Sequence, residues 1–532
     1  MRKQFLLSNL LLTFLIPFAS YADSWSPFGK QQHFFTSSFL ESRGSRYHAG
    51  IDFSTENQEG LPIYAPEKGE IIRLRLSPFG YGKAVYYRGE SGTLYVFAHL
   101  SGFANKIWPS ITKRLAKKDF YKLDWRPKTK PTFEKGEVLC FSGSTGIGDP
   151  HLHVETRTAE SLVHDPIQRG MIGKDTIAPD ILGVKVLLND LREYYFPNKK
   201  GEIEMPKFLQ KSIAHYFLHI VDYARETREN PMSVPFVRIT NLRKEGLYSR
   251  DLKTQSYSTM KQIQRDIVPF PGDSTGDFLY LNPKDLKNVQ GFAWREFSRP
   301  ITIESKDHLG NQTLAKVVWK NPKYFPPAHP FKNWKSAKAK PKGKFQGKGW
   351  TLEYETKPLA FHQRIYWKEE KGTLSFGPGH LPLKNGKLCI ESQETKGKGI
   401  FYQNSKKKWN SFSSRELEEG KVCSKIPSLG TWQMQEDLEP PVIGKPTIKT
   451  ISLNGKDTKV HVIPISDSGS GIGNSDALRL QFLNQWSYFE YNPEGKELYI
   501  LPTANSYLSF QIQVIDDFGN QIKREFKIPQ SK

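Results

Sequence analysis

Cysteine is scarce in this chain, with three in 532 residues. That is too few for a disulfide scaffold. Cys389 and Cys423 fall in one region and can pair in an oxidising compartment. Cys140 stands apart in an apolar strand and reads as a small buried side chain. Long apolar runs are equally few. Past residue 22 no segment is apolar enough to cross a bilayer, so no transmembrane segment is expected once the N-terminus is removed. Acidic residues are outnumbered, 55 against 77 Lys and Arg, giving a formal charge of +22. A strongly basic protein is expected to meet an anionic surface or polymer.

What is present favours β structure. Apolar residues make up 37% and aromatics 13%, enough to bury real cores. Aromatic and β-branched side chains with frequent Gly and Pro point to a mainly β chain. The length predicts about three or four domains. At the N-terminus Arg2 and Lys3 precede an apolar run from Phe5 to Ala19, and Ser20-Tyr21-Ala22 offers small residues to a signal peptidase. Residues 1–22 therefore read as a secretory signal. For an exported basic protein, peptidoglycan or another anionic envelope polymer is a better-matched partner than nucleic acid. The expected compartment is the periplasm, or the cell envelope and its exterior.

Four short stretches carry chemistry. The first is His48-x-x-x-Asp52, with Gly50 between them where a tight backbone is permitted. The second is His99, which ends a strand in the stretch Thr93–Leu100. The third is Gly148-Asp149-Pro150-His151-Leu152-His153-Val154-Glu155. In a strand, alternate residues share a face. His151, His153 and Glu155 then point one way, and Leu152 and Val154 point into a core. The fourth is Ser142-Gly143-Ser144-Thr145-Gly146, a turn that delivers the chain into His151. No His-Glu-x-x-His helix occurs, so a glutamate general base of that kind is absent.

Together these stretches resemble the lysostaphin/LytM-type peptidoglycan endopeptidases, over roughly residues 34–170. The resemblance implies an antiparallel-β zinc peptidase domain. It implies that one Zn²⁺ is held by His48, Asp52 and His153, and that His151 and His99 flank the reacting carbonyl as catalytic residues. Three protein ligands leave the fourth tetrahedral position open to water. A histidine, with an ordinary pKa of about 6.5, suits proton transfer near neutrality. Which of the two histidines activates water and which stabilises the oxyanion stays open. Glu155 either orients a ligand or serves a structural salt bridge. Three departures from the family pattern stand out. Phe97 replaces a common Tyr, Gly148-Asp149 places an acid beside the site, and a basic insertion spans 103–132. That insertion reads either as a substrate-facing rim or as a solvated loop. Ile111, Leu115, Phe120 and Leu123 could line one side of a helix within it.

The expected organisation continues from the peptidase domain at 23–172. A β-sandwich is expected at 175–320, with a loop-rich insertion between Arg243 and Asn288. A basic linker follows at 321–349, where Phe331–Gly349 holds seven lysines and no acid. A β-rich block covers 350–437, and a second sandwich covers 438–532. Proline at the opening and an Asp…Gly-Asn turn before the last strand make both sandwiches resemble bacterial immunoglobulin-like domains. Such modules could bind an envelope protein. Two other readings compete with an exported zinc endopeptidase. One is a non-catalytic, wall-binding regulator or scaffold of the same fold. The other is an adhesin built on the immunoglobulin-like modules.

Overall fold

A computed structural model describes residues 24–527, apart from 44–45, 116–121, 160–161, 189–192, 211, 253, 257–266, 269–276, 281–298, 322–332, 357–363, 378–382, 405–406, 412–414, 473–476, 483–484, 487–488, 494 and 501–508. The expected signal segment lies outside the described residues. So does Phe120.

The chain is mainly β. Its N-terminal domain is organised about one long strand, His151–Ala159, which pairs antiparallel with Ile51–Ser54 on one side and Leu94–Ala98 on the other. Outward from these the sheet continues through Ala84–Gly89, Gly69–Leu76 and Leu123–Trp125, and on the far side Phe35–Ser37 closes it. The alternation read from sequence explains the layering. Leu152 and Val154 are fully buried among Ile51, Phe53 and Phe97, while the odd-numbered residues face the other way. A smaller sheet, Pro62–Tyr64 with Val138–Ser142 and Leu100–Phe103, covers that core.

Residues 103–132 hold the helix Trp108–Leu115, which buries Ile111 and Leu115. Leu123, expected on the same helix, is instead a strand residue paired with Leu76. Arg114 stacks 3.8 Å over Trp125, and Lys106 lies 3.5 Å over Phe133. These basic side chains are held against aromatic rings of their own domain. No described residue of 103–132 lines the cleft described below.

Three further β units follow; among the described residues the second is one ten-stranded sheet, and the third and last have two sheets each. The second unit centres on Val184, Leu218, Ile239 and Val317. Within its expected loop-rich insertion, Gly246–Asp251 pairs with Phe236–Asn241, and Thr254–Ser256 pairs with Leu162–His164 of the first domain. The third unit corrects the linker expectation. Lys335–Lys338 and Lys342–Gly347 are strands, paired with Arg364–Glu370 and Trp350–Thr356. The physical reason is a period-two pattern beneath the lysine-rich composition. Lys342, Lys344 and Gln346 are exposed, while Gly343, Phe345 and Gly347 are half-buried, and Phe345 stacks on Tyr354 at 5.3 Å. Composition alone hid that alternation. Cys389 and Cys423 face each other across two strands of this unit and are disulfide-bonded, while Cys140 is free and buried. The last unit packs back on the first domain. Asn454 Oδ1 accepts from the Phe103 amide at 2.9 Å, and Lys83 pairs with Glu490. Among the described residues no helix is long and apolar enough to cross a membrane.

Candidate metal centre and active-site cleft

Strand register builds the centre. Asp52 and His153 are direct cross-strand partners, and His48 precedes Asp52 by one tight turn. The turn needs Gly50. A Cβ there would sit 2.1 Å from the Val154 carbonyl oxygen and 2.8 Å from Glu155 Cγ. Gly50→Ala is therefore expected to push the His48 turn off the central strand. A loss of about 1–3 kcal/mol from overpacking is expected, together with weaker metal binding. Urea unfolding and a metal titration of the variant check both.

Three donor atoms converge. His48 Nε2 lies 3.0 Å from Asp52 Oδ1, His153 Nδ1 lies 2.8 Å from the same oxygen, and the two ring nitrogens are 2.8 Å apart. Two imidazole lone pairs at that distance repel unless a proton or a cation lies between them. The remaining ring nitrogens are already committed. His48 Nδ1 donates to the Ser38 carbonyl at 2.9 Å, which leaves Nε2 as the lone-pair atom. His153 Nε2 donates to Glu155 Oε1 at 2.9 Å, which leaves Nδ1. Each tautomer is thus fixed for ligation from outside the ligand set. All three candidate ligands are buried, and the donor set fits a divalent metal ion. Burial pushes the Asp52 carboxyl upward, but the His48 and His153 imidazoles outweigh it and hold it well below the ordinary carboxylate value. Burial lowers His153, yet Asp52 and Glu155 raise it more, to about 9.

The other two histidines stand side by side on the cleft side of the ligands. His99 and His151 have ring centroids 4.3 Å apart, and His99 lies 5.9 Å from His153. His99 occupies the left-handed region, at φ 60°, directly after its strand ends. That conformation is uncommon for a non-glycine residue and carries strain of a kind that clusters at functional sites. Its Nδ1 donates to the Thr145 carbonyl at 3.0 Å, and burial with the two neighbouring histidines lowers its pKa to about 3. His99 is therefore neutral, with Nε2 as a proton acceptor. His151 donates from Nδ1 to the Asp149 carbonyl at 2.6 Å. Asp149 acts on the site through its backbone. Its side chain is exposed and is not among the metal-ligand cluster.

Glu155 combines both roles considered for it. Its carboxylate is wholly buried, accepts from His153, and is closed by Arg157 and by the Tyr81 hydroxyl. Arg157 Nε donates to Oε2 at 2.6 Å. Tyr81 also stacks on His153 at 5.3 Å. Sequence reasoning missed Tyr81 and Arg157. A signal existed for Tyr81, which sits between Gly80 and Gly82, both at positive φ. Phe97, flagged as a departure from the family, pairs with Val154 on the core face and belongs to the hydrophobic core.

The histidines open on a cleft of about 1330 Å³. One wall comes from Ile147–His151. Another comes from the second unit, through Arg225, Glu229, Asn230 and Pro231. Nothing in the sequence announced that second wall.

No family model matches the chain. Over 133 residues it is 31% identical to the DD-carboxypeptidase/endopeptidase Mpg of Neisseria meningitidis, covering 25% of this chain and 24% of that protein. Over 111 residues it is 32% identical to an uncharacterized metalloprotease of Haemophilus influenzae, covering 21% and 18%. The names of these two relatives, an endopeptidase and a metalloprotease, accord with the resemblance to the lysostaphin/LytM-type peptidases. The match spans about a quarter of the length of the Neisseria relative. A solved structure, the catalytic domain of the prophage-encoded M23 protein EnpA from Enterococcus faecalis, aligns over 26% of this chain and 86% of its own at 21% identity, with a TM-score of 0.19.

Proposed function

We propose that the protein is an exported zinc endopeptidase that hydrolyses peptide bonds in peptidoglycan stem peptides or cross-bridges. One observation carries the reading. His48 Nε2, Asp52 Oδ1 and His153 Nδ1 converge while both histidines have their other nitrogen bonded elsewhere. Two imidazoles and one carboxylate form a donor set that suits Zn²⁺, one per chain. Bound there, zinc would polarise a scissile carbonyl and lower the pKa of a water. His99, neutral and with Nε2 unprotonated, takes the proton from the attacking water. His151, half-buried at the cleft beside His99, stabilises the developing charge on the carbonyl oxygen when its ring carries protons on both nitrogens, since its Nδ1 proton is already given to the Asp149 carbonyl. The basic surface attracts the anionic wall polymer. The two outer sandwiches, read as immunoglobulin-like, hold the enzyme at the envelope or at a protein partner there.

The test is mass analysis of muropeptides after incubation with the purified full chain. Cleaved stems or cross-bridges are expected, with loss of activity on chelation and recovery with zinc. Undiminished cleavage after complete metal removal would refute the reading. His99→Ala and His151→Ala should each lower kcat by about a hundredfold to ten-thousandfold with zinc content unchanged. That combination separates their roles from those of the ligands.

A further inference from the structure

We propose that the second unit binds a Ca²⁺ ion through Asp175, Asp222 and Asp307, at the root of the loop that walls the cleft. The three residues each offer a carboxylate oxygen, and these atoms lie within 4.8 Å of one another. Asp222 is wholly buried. Its Oδ1 accepts from the Tyr223 amide at 2.9 Å, and its Oδ2 is buried with no hydrogen-bond partner. An unsatisfied buried carboxylate oxygen is costly, and two further carboxylates beside it add repulsion. Among the described residues none of the three is paired with a lysine or arginine. The basic side chain facing them is His308, whose Nδ1 is already 2.6 Å from Asp165 of the first domain. Burial raises all three carboxyls, Asp175 to about 7; repulsion from the neighbouring aspartates adds to it at Asp175 and Asp222, while hydrogen bonds from Asn311 and the Leu309–Asn311 amides partly offset it at Asp307.

The last unit carries the same framework with more of its carboxylate oxygens hydrogen-bonded by backbone amides. Asp437, Asp467 and Asp516 occupy the corresponding places: the opening segment, the end of a strand, and the start of an Asp-x-x-Gly-Asn turn. Asn520 Nδ2 donates to the Asp437 carbonyl at 3.1 Å, as Asn311 Nδ2 donates to that of Asp175 at 3.4 Å. There, however, a glycine-rich turn feeds backbone amides to the acids. Ser470 N donates to Asp437 Oδ2 at 2.6 Å, and Gly469 and Gly471 N donate to Asp467 Oδ2 at 3.0 and 2.6 Å. After Asp222 the chain reads Tyr-Ala-Arg, and the Oδ2 of Asp222 receives no such amide. A hard cation with flexible, all-oxygen coordination meets that need, which favours Ca²⁺ over Zn²⁺ or Mg²⁺.

The position gives the site a consequence. Asp222 N donates to the Met232 carbonyl at 3.0 Å and Met232 N returns the bond at 2.8 Å, so residues 223–231 form a loop closed at its base. That loop carries Arg225, Glu229, Asn230 and Pro231 into the cleft. The experiment is calorimetric titration of CaCl₂ into the full chain, stripped on a chelating resin and reloaded with zinc. Saturable binding is expected, with slowed hydrogen exchange over 223–231. Asp222→Asn should weaken the binding by at least about tenfold. Asp175→Asn, at a half-buried position, should do the same if Asp222→Asn fails to fold. No heat by millimolar CaCl₂, equal binding by wild type and the folded variants, or equally tight binding of MgCl₂ would overturn the assignment.

Discussion

Replacing His153 by alanine is expected to remove the metal and the hydrolysis together, with no recovery at any zinc concentration that wild type tolerates. The argument is structural. His153 is the central strand's contribution to the ligand set, and its neighbours across both strand pairs, Asp52 and Ala98, leave no side chain placed to substitute. Lewis-acid assistance is worth several kcal/mol, which at ~1.4 kcal/mol per tenfold means a rate loss of roughly a thousandfold or more. Metal content by atomic absorption and turnover of a muropeptide should fall in parallel. Retained zinc with lost activity would instead make His153 a catalytic group and break the proposed division of labour. The same residue sets a pH dependence. Asp52 and Glu155 raise the His153 pKa to about 9, so below that pH a cation must displace a proton to bind. Metal affinity should fall as pH drops, by about tenfold per unit for each proton displaced. Zinc titrations in buffers of differing ionisation enthalpy read the proton release directly. In the absence of metal the sign reverses for stability. A raised histidine pKa contributes stability below its ordinary value of 6.5, and that contribution is lost as pH rises through about 9.

The contrast between ligands and their supports shows what the sequence made legible. His48, Asp52, His99, His151 and His153 sit in short local patterns, and a strand's period of two already assigns the faces of residues 151–155. Their convergence needs only three adjacent strands. The supports are a different matter. Tyr81 reaches Glu155 across 74 positions, and Thr145 holds His99 across 46. Such contacts follow from tertiary packing, which no local period encodes. The same limit explains the lysine-rich 333–349 stretch. Composition argued for a tether, while burial of alternate residues against Trp350–Thr356 decided for strands. Asp149 and Phe97 looked chemically loaded because of the residues around them. One contributes a backbone carbonyl and the other a core side chain.

Glu155→Gln is expected to be the most damaging substitution outside the ligands themselves, and by two separable routes. Glu155 is wholly buried and carries the charge that balances Arg157, itself only 6% exposed. Removing one partner of a buried ion pair leaves the other uncompensated, at about 3–5 kcal/mol. Glu155 also accepts the His153 Nε2 proton, which fixes the tautomer that presents Nδ1 to a metal. Loss of such an outer partner typically lowers metal affinity about 10- to 100-fold. Urea unfolding separates the first route and a competitive zinc titration the second. The pH behaviour gives an independent signature. Burial raises the Glu155 carboxyl, but His153, Arg157 and Tyr81 more than offset it and hold the pKa at about 2, against an ordinary 4.5. A depressed carboxylate contributes stability above 4.5 that is lost as pH falls through about 2. The wild type should therefore lose stability across that acid window, and Glu155→Gln should show a shallower decline there from its lower starting point. A variant as stable as wild type at neutral pH, with unaltered zinc affinity, would show that Glu155 neither balances Arg157 nor positions His153.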